Sequence, residues 1–153
     1  DEFSLLASDC TGIAMGTNTI CWRGLDSDPR RDGVRLEDCE ASSISGLVAH
    51  RLGAGDFESG AGIALVRCRD TAVSDCQITD PFVRGIELHN CERCRVSGNS
   101  IADRREKHLM QQAIRVSGKS RNNLVQNNLV SGAVQKPIDV AESTATVQGN
   151  VEA

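Results

Sequence analysis

Six times along the chain an apolar residue is followed two positions later by a second, then by a small residue and a third apolar residue, and in four units of the six by an Asn. The first apolar position is Leu5, Val34, Ile63, Ile86, Ile114 and Ile138. Two residues on stand Ala7, Leu36, Leu65, Leu88, Val116 and Val140. That alternation has the period of a strand with one buried face, not of a helix. The unit is roughly 25 residues long, and self-similarity at this length predicts a solenoid, in which each unit buries its apolar edge only by stacking on its neighbours.

The rest of the unit keeps the same register. Five residues after the first position come Cys10, Cys39, Cys68 and Cys91, with Ser120 and Ser143 in the last two units if the fifth carries one inserted residue. A third apolar position follows at Met15, Ile44, Val73, Val96, Val125 and Val147, and three residues beyond it lie Asn18, Leu47, Cys76, Asn99, Asn128 and Asn150. The unit closes on Ile20, Ala49, Ile78, Ile101 and Val130; the last unit has Glu152 there and offers Val151 instead. Stacked strands place equivalent residues about 4.8 Å apart, so every column becomes a ladder. The Cys column is expected inside, where Cys behaves as a small hydrophobe. The Asn column is expected at a bend, where Asn tolerates left-handed backbone and its amide bonds to its neighbours.

Two further strings sharpen the fold. Gly62-Ile63-Ala64-Leu65 is followed by Val73 to Ile78, and Gly85-Ile86-Glu87-Leu88 by Val96-Ser97-Gly98-Asn99-Ser100-Ile101. These resemble the right-handed parallel β-helix family, whose members include pectate lyases, polygalacturonases, alginate epimerases and phage tailspikes. The resemblance covers nearly all of the chain and implies an all-β fold: one right-handed parallel β-helix solenoid of about six coils, in a single domain spanning 1–153. A leucine-rich repeat is the competing pattern, matched by Cys91-x-x-Cys94-x-Val96-x-x-Asn99-x-Ile101. Its second, buried Leu is here Ile13, Ser42, Thr71, Cys94, Asn123 and Ala145, mostly polar or small, which disfavours it.

Composition agrees with narrow aliphatic layers: 39% of 153 residues are hydrophobic, yet there are three Phe, one Trp and no Tyr. Fourteen Gly and three Pro punctuate short strands. No run approaches the roughly 18 apolar residues of a membrane span, so no membrane partner is expected. A net charge of −4 argues against nucleic acid, which selects a basic field. Seven cysteines is an odd number, and Cys91-x-x-Cys94 lacks the second pair a zinc knuckle needs, so neither a disulfide framework nor a metal or other cofactor is expected. The start at Asp1 without Met or a signal peptide is read as a processed chain or a piece of a longer one. The compartment stays open, with a secreted or virion-associated setting ranked above a cytoplasmic one.

Function is expected where the units differ. Length varies between the closing residue of one unit and the next Gly-Ile-x-Leu strand, giving loops at 21–32, 50–61, 79–84, 103–112 and 131–136 on one side of the solenoid. They carry Trp22, Arg23, Asp26, Asp28, Arg30 and Arg31, then His50, Arg51, Asp56 and Glu58, then Asp80 and Arg84, and then Arg104, Arg105, Lys107 and His108. The adjoining strand presents an outward column of Arg35, Ala64, Glu87, Arg115 and Asp139, with His89 on the next outward position.

The resemblance implies a polysaccharide groove over this strand, in which a cation neutralises a uronate carboxylate while a base removes the C5 proton. By position the catalytic candidates are Arg115, His89 and Glu87, and the substrate contacts Arg35, Arg84, His50, His108 and Asp139. The column also alternates in sign, as a solvated ion-pair ladder would. Family motifs differ: Asp80-Pro81-Phe82 stands where alginate enzymes carry Asp-Pro-His, and Asn18-Thr19-Ile20 lacks the Asp of the polygalacturonase Asn-Thr-Asp. Two classes stay open, a lyase or epimerase acting on a uronate glycan and a non-catalytic glycan-binding or structural segment of a tailspike, fibre or adhesin-like assembly. Beside a polysaccharide, a homo-oligomer or an end-capping domain is an expected partner, because uncapped strand edges invite pairing.

Overall fold

The computed structural model describes residues 4–22, 33–53 and 60–153. These residues form three parallel six-stranded sheets and no helix. The first sheet stacks β1 (Leu5–Ser8), β4 (Val34–Glu37), β7 (Ile63–Val66), β10 (Arg84–His89), β13 (Gln112–Ser117) and β16 (Ile138–Val140). The second stacks β2 (Ala14–Met15), β5 (Ser43–Ser45), β8 (Ala72–Ser74), β11 (Arg95–Ser97), β14 (Asn123–Gln126) and β17 (Ala145–Gln148). The third stacks β3 (Thr19–Cys21), β6 (Val48–His50), β9 (Gln77–Thr79), β12 (Ser100–Ala102), β15 (Leu129–Ser131) and β18 (Val151–Glu152). Every third strand pairs with the equivalent strand of the next coil, which defines a parallel β-helix of six coils.

The register is the one the hydrophobic pattern predicts. Leu5 pairs with Val34, Val34 with Ile63, Ile63 with Ile86, Ile86 with Ile114 and Ile114 with Ile138. The third apolar position runs Met15, Ile44, Val73, Val96, Val125 and Val147 through the second sheet. From coil two to coil five these residues, Val34, Ile44, Ile63, Val73, Ile86, Val96, Ile114 and Val125, are completely buried. Each such side chain contributes roughly 1.5–3 kcal/mol on leaving water. The last coil departs from the pattern: Glu152, not Val151, pairs with Val130, and Val151 points outward and is exposed. A strand's side chains alternate faces, so Val151 cannot replace the residue beside it in an inward column.

Corners need left-handed backbone, and the chain supplies it in columns. Asp9, Asp38, Arg67 and Asn90 all have φ between 52° and 57°, each just before the Cys column. Gly46, Asp75, Gly98, Asn127 and Gly149 have φ between 54° and 69° between the second and third sheets. Asp, Asn and Gly accept φ > 0 at low cost; Arg67 does not, and its side chain is compensated by bonds to Glu37 and Asp38.

Inside the corners, polar side chains absorb backbone groups that the strands leave unpaired. Cys39, Cys68 and Cys91 are free buried thiols, whose sulfurs bond to the carbonyls of Ala7, Leu36 and Leu65 on the preceding coil. Contacts of Cys91 with Cys68 and Cys94, together with burial, push its thiol well above the ordinary range and keep it protonated. Ser120 continues this column by accepting from the Cys91 amide at 3.0 Å. In the sixth coil the buried residue is Thr144 and not Ser143, which is exposed with φ 60°.

The Asn column is a hydrogen-bonded ladder over three coils. Asn99 Nδ2 donates to Asn128 Oδ1 and Asn128 Nδ2 to Asn150 Oδ1, both at 2.9 Å. The same oxygens accept from the backbone amides of Asn99 and Asn128. Asn18 is outside it, because Leu47 and Cys76 separate it from Asn99; its amide bonds to Gly16 and is exposed. A second ladder occupies the position that excludes a leucine-rich repeat: Ser42 accepts from Ile13, and Asn123 accepts from Cys94 while donating to Cys91 and Thr144.

Candidate functional site

Register carries the outward column through the first sheet: Arg35 pairs with Ala64, Ala64 with Glu87, Glu87 with Arg115 and Arg115 with Asp139. Its charges do not form one continuous ladder. Arg35 Nε turns along its own strand to Glu37 at 3.2 Å, and Asp139 meets Lys136 at 3.9 Å. At the centre, Glu87 Oε2 lies 3.8 Å from Arg84 Nη1 and Oε1 lies 3.8 Å from Arg115 Nη1.

That central group is covered, which the alternation in sequence does not foretell. Arg84 is 1% and Glu87 3% exposed. Gly60 is bonded to both: its amide donates to Glu87 Oε2 at 3.0 Å, and its carbonyl accepts from Arg84 at 3.3 Å. Arg84 Nε also donates to Gln112 Oε1 at 3.1 Å, and Gln112 bonds onward to Gln135. Arg84, predicted as a substrate contact, is thus buried and bonded to Gly60 and Gln112, and Glu87, predicted as catalytic, is buried between two guanidinium groups. Buried charges persist only when paired in this way.

Arg115 and His89 reach solvent. The Arg115 side chain keeps 27% of its surface, and His89 Nδ1 meets Ser117 Oγ at 3.1 Å on the neighbouring strand. Residues 115 and 117 share one face with 87 and 89, so Arg115 and His89 occupy diagonal positions on adjacent strands. The other predicted residues lie elsewhere. His50, at the end of β6, faces Asp80 at 3.9 Å, and His108 is exposed on the 103–112 loop. Arg23, Asp26, Asp28, Arg30, Arg31, Asp56 and Glu58 fall outside the described residues.

The 103–112 loop has an internal organiser that sequence reading passes over. Asp103, with no side-chain exposure, accepts from Arg105 Nε and Nη2 at 2.8 Å and from the amides of Arg105, Leu109 and Met110. Arg105 also donates to the Pro81 carbonyl. Its guanidinium lies over the Phe82 ring, 5.5 Å from the centroid, where the ring's negative face attracts a cation. Burial alone would raise the Asp103 carboxyl, but these donors outweigh it and hold the pKa below the usual aspartate value. A depressed carboxylate contributes stability above its unfolded pKa, near 3.8, that is lost as pH falls through the lower folded value. Acid titration followed by circular dichroism is expected to show Asp103→Asn flattening the stability slope below about pH 4.

A second concave feature follows the first sheet's strands on their far side from these loops. It is a trough of about 610 Å³ lined by Asp9, Thr11, Asp38, Glu40, Arg67, Arg69, Asn90, Glu92, Lys119 and Arg121, with Cys39 in its floor. Thr11, Glu40, Arg69, Glu92 and Arg121 are consecutive rungs of one ladder. The signal was present in the sequence, since the residue after the Cys column alternates in sign. Among the described residues, no group of His, Cys, Asp and Glu is arranged to hold a metal ion.

Parallel sheets, inward ladders and left-handed corners define a β-helix. The family described as right handed beta helix region matches residues 4–151, and the chain belongs to that family. No curated protein and no solved structure matches it. This fold commonly hosts carbohydrate-related proteins, and a fold's function resides in the residues of its surface sites.

Proposed function

We propose that the chain binds a uronate-containing polysaccharide along the outward face of the first sheet. The observation that carries this reading is the solvent-facing pair of Arg115 and His89 beside Ser117, next to central charges that are buried and paired. Arg115 suits a carboxylate because its planar fork donates two parallel hydrogen bonds, and Glu87 behind it fixes the fork's position. With the carboxylate neutralised, the C5 proton becomes more acidic. His89 is the adjacent base or acid, imidazole being the side chain that exchanges protons near neutral pH. A lyase or epimerase step is the finer form of the proposal.

Binding without turnover is the second reading. It is favoured by the commitment of Arg84 and Glu87 to bonds with Gly60, which withdraws both from an incoming glycan.

Both forms are tested by titrating polygalacturonate and alginate oligomers calorimetrically and following unsaturated product and C5 inversion. Uronate binding is expected to weaken at least about tenfold in Arg115→Ala, the loss of one charge-assisted contact. In the catalytic form, His89→Ala abolishes turnover while binding persists. Equal affinity in wild type and Arg115→Ala, or no uronate oligomer bound at all, rejects the proposal.

A further inference from the structure

The trough beyond the strand ends is a ligand site of a different character. We infer that it binds a neutral, hydroxyl-rich oligosaccharide, independently of the Arg115 and His89 face. Its volume of about 610 Å³ is that of a small-ligand site. It draws residues from five successive coils, from Asp9 to Arg121. At one rung per ~4.8 Å, those coils extend about 19 Å along the solenoid. An elongated ligand lying along the axis fits that shape.

The lining identifies the ligand's chemistry. Apart from Cys39, every side chain in it is polar, so an apolar ligand gains little there. The carboxylates of Asp9, Asp38, Glu40 and Glu92 balance the cations of Arg67, Arg69, Lys119 and Arg121, so a polyanion meets as much repulsion as attraction. A sugar hydroxyl is donor and acceptor at once, and adjacent hydroxyls can address a carboxylate and a guanidinium together.

The side chains are also held in place before any ligand arrives. Arg67 is bound to Glu37 and bidentate to Asp38 at 2.8 Å, Arg69 to Glu40 at 3.3 Å and Arg121 to Glu92 at 2.9 Å. Asn90 Oδ1 accepts from the Lys119 amide at 2.7 Å. These exposed pairs are worth little to folding, but they remove rotamer entropy that a ligand would otherwise have to overcome. Each carboxylate and each guanidinium keeps hydrogen-bonding capacity beyond its ion pair. The trough lies past the carboxyl ends of β4 and β10, whereas Arg84 and Gly60 lie at the opposite end of the first sheet.

Calorimetric titration with the glucose, mannose and galactose hexaoses tests this against a galacturonate hexamer. At least one neutral hexaose is expected to bind, with its affinity changed less than about twofold by raising the salt, as befits an uncharged ligand. Lys119→Ala and Glu92→Gln, which alter exposed or half-buried side chains, are each expected to weaken it about fivefold, one hydrogen bond's worth. Arg115→Ala should leave it unchanged, so loss of uronate binding in that variant does not bear on the trough. Absence of binding by all three neutral hexaoses, neutral binding that survives both trough variants, or trough variants that affect only the galacturonate hexamer would each overturn the inference.

Discussion

Glu87→Ala is expected to destabilise the fold by about 3–5 kcal/mol, the cost of removing one member of a buried ion cluster. Arg84 is the reason. Its side chain is 2% exposed and has been taken out of water, and losing Glu87 removes the carboxylate 3.8 Å from that charge. The Gly60 amide loses its acceptor at the same time. For a chain of this length the midpoint should fall by roughly 10 °C. Glu87→Gln preserves shape and an acceptor for Gly60 and should cost less. The double variant Arg84→Met with Glu87→Leu, which removes both charges, should recover much of the loss. Thermal melts of the three variants check this. A Glu87→Ala melt indistinguishable from wild type would show that the cluster is solvated.

Asn128→Ala should be the second large effect, about 3 kcal/mol. Asn128 is 1% exposed and stands in the middle of its ladder, donating to Val96 and Asn150 and accepting from both the amide and the side chain of Asn99. Deleting it orphans several buried groups, each costing about 1–3 kcal/mol where no water replaces the partner. Asn18→Ala is the internal comparison. It occupies the equivalent sequence position, but its amide is exposed and bonded only to Gly16. Its loss should cost no more than about 0.5 kcal/mol, as for an ordinary surface substitution. Denaturant unfolding of the two variants measures the difference, and equal losses would mean that the ladder is not the stabilising unit.

These two predictions also mark what the sequence discloses. The columns of aliphatic residues, Cys and Asn are legible because each repeats at one register and depends on period alone, which is why Leu5 to Ile138 and Met15 to Val147 align strand by strand. Errors fall where the unit changes length or frays. Thr144 replaces Ser143 because the sixth corner closes differently, and Val151 faces outward because it is one residue from the column. The site was less legible for a different reason. The outward position of Glu87 follows from alternation, but its burial and its bond to the Gly60 amide of another coil do not. Nothing in residues 84–89 announces that Gly60 will supply both a donor and an acceptor. The trough was legible in principle, through the alternation of Glu40, Arg69, Glu92 and Arg121. It lies at a corner of nearly constant length, whereas attention to variable loops leads to the opposite side of the solenoid.

Positions that recur hold this solenoid together, and the few side chains that reach solvent at the centre of the first sheet are proposed to meet a glycan. The most direct measurement is amide chemical-shift mapping of the chain during titration with a galacturonate oligomer. The proposal predicts shifts concentrated at 87–89 and 115–117, absent in Arg115→Ala. Shifts confined to the second and third sheets, or unchanged by that substitution, would contradict it.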